Sequence, residues 1–344
     1  MLKSRALTSV LVVGSVAVAS VFAAAPASAA TLPSGQQITV INNVDWSFFE
    51  ASPADASLTA VGTGTPADDT TLTGVDVDDD GHGYAVANKE GPGSIDGYVY
   101  TADANTGVLS GGVPITLNFG DVFPPADECT AIDYTGGIVY AACILYVDET
   151  DVTYVGPLDP VTGVLEPVME FNGSSMEFPI LYIPAIATDP LTGILYGFSW
   201  NIDDSPETTA WILSEDAGAE FVTEVDNPLM VANALYGADF DRGGQLWITV
   251  KTPVVDGDFV YSRPALATLD LSDGSSPFLA PFTVGGELLD QTADPITVWG
   301  KEALAATGAV QNPAVALGAI ALLLFGAILA AGTVAMRRRS LESP

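Results

Sequence analysis

Basic residues are scarce in this 344-residue chain: ten Lys and Arg stand against 43 Asp and Glu, for a formal charge of −33. Between Ala30 and Thr307 the only bases are Lys89, Arg242, Lys251, Arg263 and Lys301, whereas every acid except Glu342 lies in that stretch. Such a surface repels phosphate backbones, which excludes nucleic acid as a partner. The plain reading of the acidity is solubility; loose attraction for divalent or polyamine cations is the other. Histidine is nearly absent. A single one, His82, supplies neither a zinc site nor a nucleophilic triad. Only two cysteines, Cys129 and Cys143, are present, which allows one disulfide and no more. Apolar residues are not lacking, at 48% of the chain, so the acidity is not that of a disordered polymer.

Both ends carry segments outside any fold. Lys3 and Arg5 precede an apolar run from Ala6 to Ala25, and Pro26-Ala27-Ser28-Ala29 follows, with small residues where a signal peptidase reads. Residues 1–29 are therefore expected to be a secretory signal peptide, a retained anchor being the alternative. At the other end, Ala314–Met336 is an uncharged run of 23 residues. As a helix it spans roughly 35 Å, enough for a bilayer core. Arg337, Arg338 and Arg339 open the tail 337–344 and would hold it in the cytoplasm, placing everything upstream outside.

Just before that run stands Leu304-Ala305-Ala306-Thr307-Gly308. Motif, apolar helix and basic tail together resemble the sorting signal of sortase-anchored Gram-positive surface proteins. Ala305 replaces the usual Pro, which is similar to the Leu-Ala-x-Thr-Gly variant read by class E sortases of high-GC actinobacteria. The resemblance implies cleavage between Thr307 and Gly308 and transfer of the Thr307 carbonyl to a peptidoglycan amine. The alternative is a plain C-terminal membrane anchor.

Roughly 270 residues remain, enough for one large domain, and residues 30–303 repeat. One landmark pairs an acidic turn with an aromatic strand: Asp78 to Tyr84, Asp133 to Tyr140, Asp189 to Tyr196, Asp241 to Trp247, and a shortened Asp294-Pro295-Ile296-Thr297-Val298-Trp299. The aromatic residues are 56, 56, 51 and 52 positions apart. A second landmark of the Asp-x-x-x-Gly type ends at Gly107, Gly163, Gly218 and Gly274, with steps of 56, 55 and 56. Each landmark is a hairpin signal, and two hairpins make a four-stranded propeller blade. The pattern resembles bacterial β-propellers with repeated Asp-Pro-x-Thr-Gly-x-Leu-Tyr turns, which implies an architecture and no activity.

The fifth copy runs into the sorting signal without its second hairpin, and Phe48 to Gly62 offers the missing half. The expected fold is an all-β propeller of five blades closed by both termini. Six blades is the alternative, with Gln37 to Val44 as an extra strand pair.

Candidate sites are few. Cys129 and Cys143 are symmetric about the Asp133–Gly137 turn and would face each other across a hairpin, so an exported chain would bridge them; two buried thiols is the other reading. Asp76, Asp78 and Asp80, followed by Gly81, have the spacing of a calcium loop. Ala87 and Tyr84 stand where such loops place further acids, and the competing reading is a solvated turn. No other cofactor is implied. Asp45 beside Trp46 and Glu177 beside Phe178 have the apolar setting of a catalytic acid. Trp46, Trp200 and Trp211 are the residue type that stacks on sugars, or else core.

Two function classes follow. The first is a non-catalytic, wall-anchored surface protein binding an extracellular ligand, with signal peptidase, sortase and peptidoglycan as processing partners. The second is an exported propeller hydrolase, of glycoside hydrolase or lactonase type, which requires carboxylates or a cation converging on one cavity.

Overall fold

The repeated turns hold because each aspartate acts twice. The side chains of Asp78, Asp103, Asp159, Asp189, Asp241 and Asp270 each accept the backbone N–H two residues on. Their carbonyls accept the N–H of Gly81, Gly107, Gly163, Gly193, Gly244 and Gly274. All six glycines have φ between 68° and 80°, a region closed to most side chains.

In the computed structural model, which describes residues 31–66, 69–91, 94–147, 150–172, 182–200, 208–214, 218–225, 235–256, 259–289 and 293–300, the hairpins assemble into five largely antiparallel sheets. Blade one is Thr70–Val77, His82–Gly91, Ser94–Asp103 and Val108–Pro114. Blade two begins Glu128–Thr135, Ile138–Val147 and Thr150–Asp159, and both Val164–Leu165 and Met169–Asn172 pair with its third strand. Blade three is Tyr182–Thr188, Leu195–Trp200, Thr208–Ser214 and Gly218–Glu224; blade four is Leu235–Phe240, Leu246–Asp256, Phe259–Leu269 and Phe278–Pro281. Blade five joins the C-terminal Ala293–Trp299 to the N-terminal Gln37–Asn42, Ser47–Ala51 and Ser57–Thr63. The first strand of each blade contacts that of the next, and blade five contacts blade one, so the ring is closed. This is a five-bladed β-propeller.

Closure by both termini is as expected, but the division of blade five is not. The C-terminus supplies one strand and the N-terminus three. Gln37–Asn42 is a single strand, the second of blade five, which removes the six-blade alternative. The Asp294 to Trp299 copy is not a turn at all: it is the inner strand, with Trp299 opposite Gln37 and Thr297 opposite Thr39. That copy lacks the glycine which lets the other turns reverse.

The core is divided the same way. Five apolar clusters lie one between each pair of neighbouring blades, and Trp247, Phe198, Phe48 and Trp46 are among their fully buried members. Such burial stabilises by about 1.5–3 kcal/mol per large side chain. Inner strands run from one face of the ring to the other, so both repeated turns fall on one face, here the turn face. The described chain enters and leaves on that face, where Gln37 pairs with Trp299. The opposite face, here the mouth face, carries the connections between blades. Among the described residues no helix is long and apolar enough to cross a membrane. The expected signal peptide, sorting motif, apolar run and basic tail lie outside the described residues.

Candidate functional site

The central channel is closed in its middle. Gly74, Val75, Ile132, Ile186, Ala238 and Ile296 from the five inner strands leave a space of about 10 Å³ between them. That is room for one water at most. Within the channel, room for a ligand is therefore confined to the two ends.

At the turn face, Asp76, Asp133 and Asp239 occupy equivalent places, opposite Tyr84, Tyr140 and Trp247 on the neighbouring strands. Asp133 is thus a channel acid and not the turn acid its sequence alignment suggests. All three are buried. Asp76 accepts the N–H of Tyr134 in blade two at 2.6 Å, and Asp133 accepts both the N–H and the hydroxyl of Thr188 in blade three at 2.8 Å. Asp239 accepts the N–H of Val298 in blade five, and the Thr297 hydroxyl of that blade donates to Asp76 at 2.9 Å. The acids therefore tie blade to blade around the axis. Blade three has Ala187 at this place, opposite Tyr196.

Burial raises the pKa of all three: Asp133 to about 6, Asp239 to about 8 and Asp76 well above the carboxylate range. Repulsion from the neighbouring acids adds to the shift of Asp76 and Asp239. They border a cavity of about 240 Å³, crossed at its rim by an Arg242–Asp79 ion pair of 2.7 Å between blades four and one.

The proposed calcium ligands are not brought together. Asp76 points into the ring, Asp78 accepts the N–H groups of Asp80 and His82 in its own turn, and Asp80 is exposed. Among the described residues no group of three His, Cys, Asp or Glu is placed to hold a metal ion. His82 is exposed beside Asp103, at 3.8 Å.

At the mouth face, a cavity of about 260 Å³ draws on all five blades, from Asn43 in blade five to Tyr236 in blade four. Glu128, Tyr182 and Tyr236 stand at the mouth ends of three successive inner strands, 54 residues apart in each step. The Tyr182 hydroxyl donates to Glu128 Oε1 at 3.2 Å. Burial raises the Glu128 pKa, Tyr182 offsets part of that, and the charge of Asp151 adds to it. Burial also pushes the Tyr182 phenol far up, followed by the Glu128 charge, with Tyr236 and Tyr146 contributing. Asn88, Thr73 and Thr130 line the same cavity but bond the backbone of Cys129 and Ile183.

Sequence reading singled out none of Glu128, Tyr182 and Tyr236. Their common spacing of 54 was available as a signal. It falls outside both turn landmarks, where no Asp or Gly marks it.

Of the remaining candidates, the two cysteines and two of the tryptophans are structural. Cys129 and Cys143 pair directly between the first two strands of blade two and are joined by a disulfide, both fully buried. Trp46 is buried edge-on against Tyr100, and Trp211 is buried with its indole N–H on Ser199. Trp200 ends the second strand of blade three. Asp45 is exposed and caps the N–H of Ser47, while Glu177 lies outside the described residues.

No family model matches the chain, and no curated protein matches it. Several solved structures are similar to it. One is a glycosyl hydrolase from Bacteroides ovatus, with a TM-score of 0.38 and 8% identity over 77% of this chain and 82% of that one. Another is the α-L-arabinofuranosidase from Podospora anserina in complex with cellotriose, with a TM-score of 0.36 and 12% identity over 70% and 72%. A third is the periplasmic gluconolactonase from Pseudomonas aeruginosa, with a TM-score of 0.36 and 11% identity over 71% and 82%. Likeness at this level assigns no activity.

Proposed function

We propose that this chain is a cell-wall-displayed binding protein whose propeller takes an extracellular ligand at the mouth-face cavity and performs no chemistry on it. Export and display are supported by the sequence of the two ends: the Ala27-Ser28-Ala29 cleavage site, the Leu304–Gly308 sorting motif for a class E sortase, and the apolar run with its arginines.

The carrying observation is the contrast between the two ends. Carboxylates at the turn face already accept hydrogen bonds from the next blade, so moving a proton there would disturb the ring itself. At the mouth, Glu128 borders a cavity of similar size and accepts its bond from a side chain, the Tyr182 hydroxyl, so a ligand can engage that carboxylate without breaking a backbone bond at that oxygen. A second reading is favoured by one observation, the three acids of raised pKa on one cavity. It is an exported hydrolase working at the turn face.

The two readings separate in an assay of the full chain, purified in a non-ionic detergent, against aryl glycosides and δ-lactones. The binding reading expects hydrolysis no faster than in the Asp133→Asn and Asp239→Asn variants. Turnover that either variant abolishes while still folded replaces it with the hydrolase.

A further inference from the structure

Resting on the binding reading, the chemistry of the mouth cavity selects among ligands. We infer that it takes an alkylammonium group, seated between the Glu128 carboxylate and the faces of Tyr182 and Tyr236.

Three observations carry this. The charged side chains among the described lining residues are acidic, Glu90 and Glu128. Glu128 is half-buried, so its attraction for a cation is screened less than that of a surface acid. Second, the wall is aromatic on the side of that carboxylate. Tyr182 bonds Glu128, and Tyr236 lines the same cavity, so three groups of three blades border one space. A carboxylate beside phenolic rings supplies both kinds of group that hold ammonium ions, a negative charge and an aromatic surface. Third, the fold already seats an ammonium on one of these rings. Lys251 Nζ lies 3.7 Å from the centroid of Tyr236, although Lys251 does not line the cavity.

The lining amides and hydroxyls argue against a neutral polyol as the preferred ligand. Asn88, Thr73 and Thr130 are engaged with backbone groups, so the hydrogen-bonding a sugar needs is partly occupied. A chain with a formal charge of −33 also draws cations towards it and repels anions. The ammonium has two sources of the same chemistry, a lysine side chain of a peptide or a free diamine.

Calorimetric titration of the full chain in non-ionic detergent tests the inference, with N-acetyl-lysine amide and putrescine as probes. Their neutral counterparts are N-acetyl-norleucine amide and N-acetylglucosamine. Saturable binding of one or both ammonium probes is expected, weakened at least tenfold by Glu128→Gln and unaffected by Asp273→Asn on the turn face. The tighter of the two ammonium probes identifies the source. Should Glu128→Gln fail to fold, Tyr236→Leu is read in its place, with the same loss expected. Binding of a neutral probe that is as tight, and equally sensitive to the cavity variants, overturns the ammonium assignment but leaves the binding reading standing. Ammonium binding that neither cavity variant weakens assigns the cation to the acidic surface at large and overturns the site. If no probe of either kind binds, both the assignment and the binding reading fall.

Discussion

Asp76 in blade one accepts the backbone N–H of Tyr134 in blade two at 2.6 Å, and the same aspartate accepts the hydroxyl of Thr297 from blade five. One carboxylate thus holds three blades at the point where the first and last segments of the chain meet. Its relatives in the ring, Asp133 and Asp239, hold the next blade in the same manner, and the consequences are measurable.

Asp239 has a pKa raised to about 8, so near pH 7 the folded protein holds it largely neutral. Asparagine is close to that neutral acid in shape and polarity. Because Asn cannot ionise when the chain unfolds, Asp239→Asn should be at least as stable as the parent at pH 7. Asp239→Ala leaves the N–H groups of Val298 and Phe240 without their acceptor and should be less stable than Asp239→Asn by on the order of 2–3 kcal/mol. Chemical denaturation of the two variants at pH 7 checks the difference.

Stability should fall as the pH rises from about 5 to 8. Asp133 and Asp239 titrate near 6 and 8 in the fold, against 3.8 for an ordinary aspartate. Between those limits the folded chain binds more protons than the unfolded one, so raising the pH favours unfolding. Asp103, Asp159 and Asp273, held below the ordinary range mainly by hydrogen bonds in their own turns, act in the opposite sense. Their contribution is lost only below about pH 4. Melting temperatures should therefore peak near pH 4 and decline by several degrees towards pH 8. The decline should be shallower in Asp239→Asn.

The Cys129–Cys143 bridge closes a separation of 14 residues. A loop of that size is expected to stabilise by about 3 kcal/mol. Because both cysteines are fully buried, a reducing agent should leave the native bridge intact and cleave it once denaturant is added. Thiol titration with and without denaturant checks this, and the Cys129→Ala/Cys143→Ala double variant gives the energy.

Gly107 has φ of 68°, and a Cβ there would stand 2.7 Å from the Cα of Gly62 in blade five. Gly136 has φ of 58° but open space around it. Gly107→Ala should cost at least about 2 kcal/mol, combining backbone strain with the loss of a close blade contact, and Gly136→Ala only about 1 kcal/mol. Equal losses would mean that the approach of blades one and five does not depend on Gly107.

These glycines also explain what the sequence revealed. Asp-to-Gly turns repeat because each blade needs the same side-chain cap and the same positive φ, so period, blade count and closure could be read from Asp103–Gly107 and its copies. Where the chemistry differed, the reading failed. Asp294 to Trp299 imitates the turn in its aspartate and aromatic residue, yet it runs straight as the inner strand because no glycine reverses it. Asp133 was aligned with the turn acids, whereas its turn is made by Gly136 and Gly137, at φ of 58° and 84°. The mouth residues Glu128, Tyr182 and Tyr236 were not legible as a site. No turn motif marks them, and only the closed ring brings them to one cavity.

The account as a whole depends on display at the wall. Mass spectrometry of the protein released from purified cell walls by a muralytic enzyme tests it most directly. A C-terminal peptide ending at Thr307 and carrying a peptidoglycan fragment is the predicted result. A peptide continuing through Gly308 into the apolar run would contradict wall anchoring and leave the propeller tethered to the membrane.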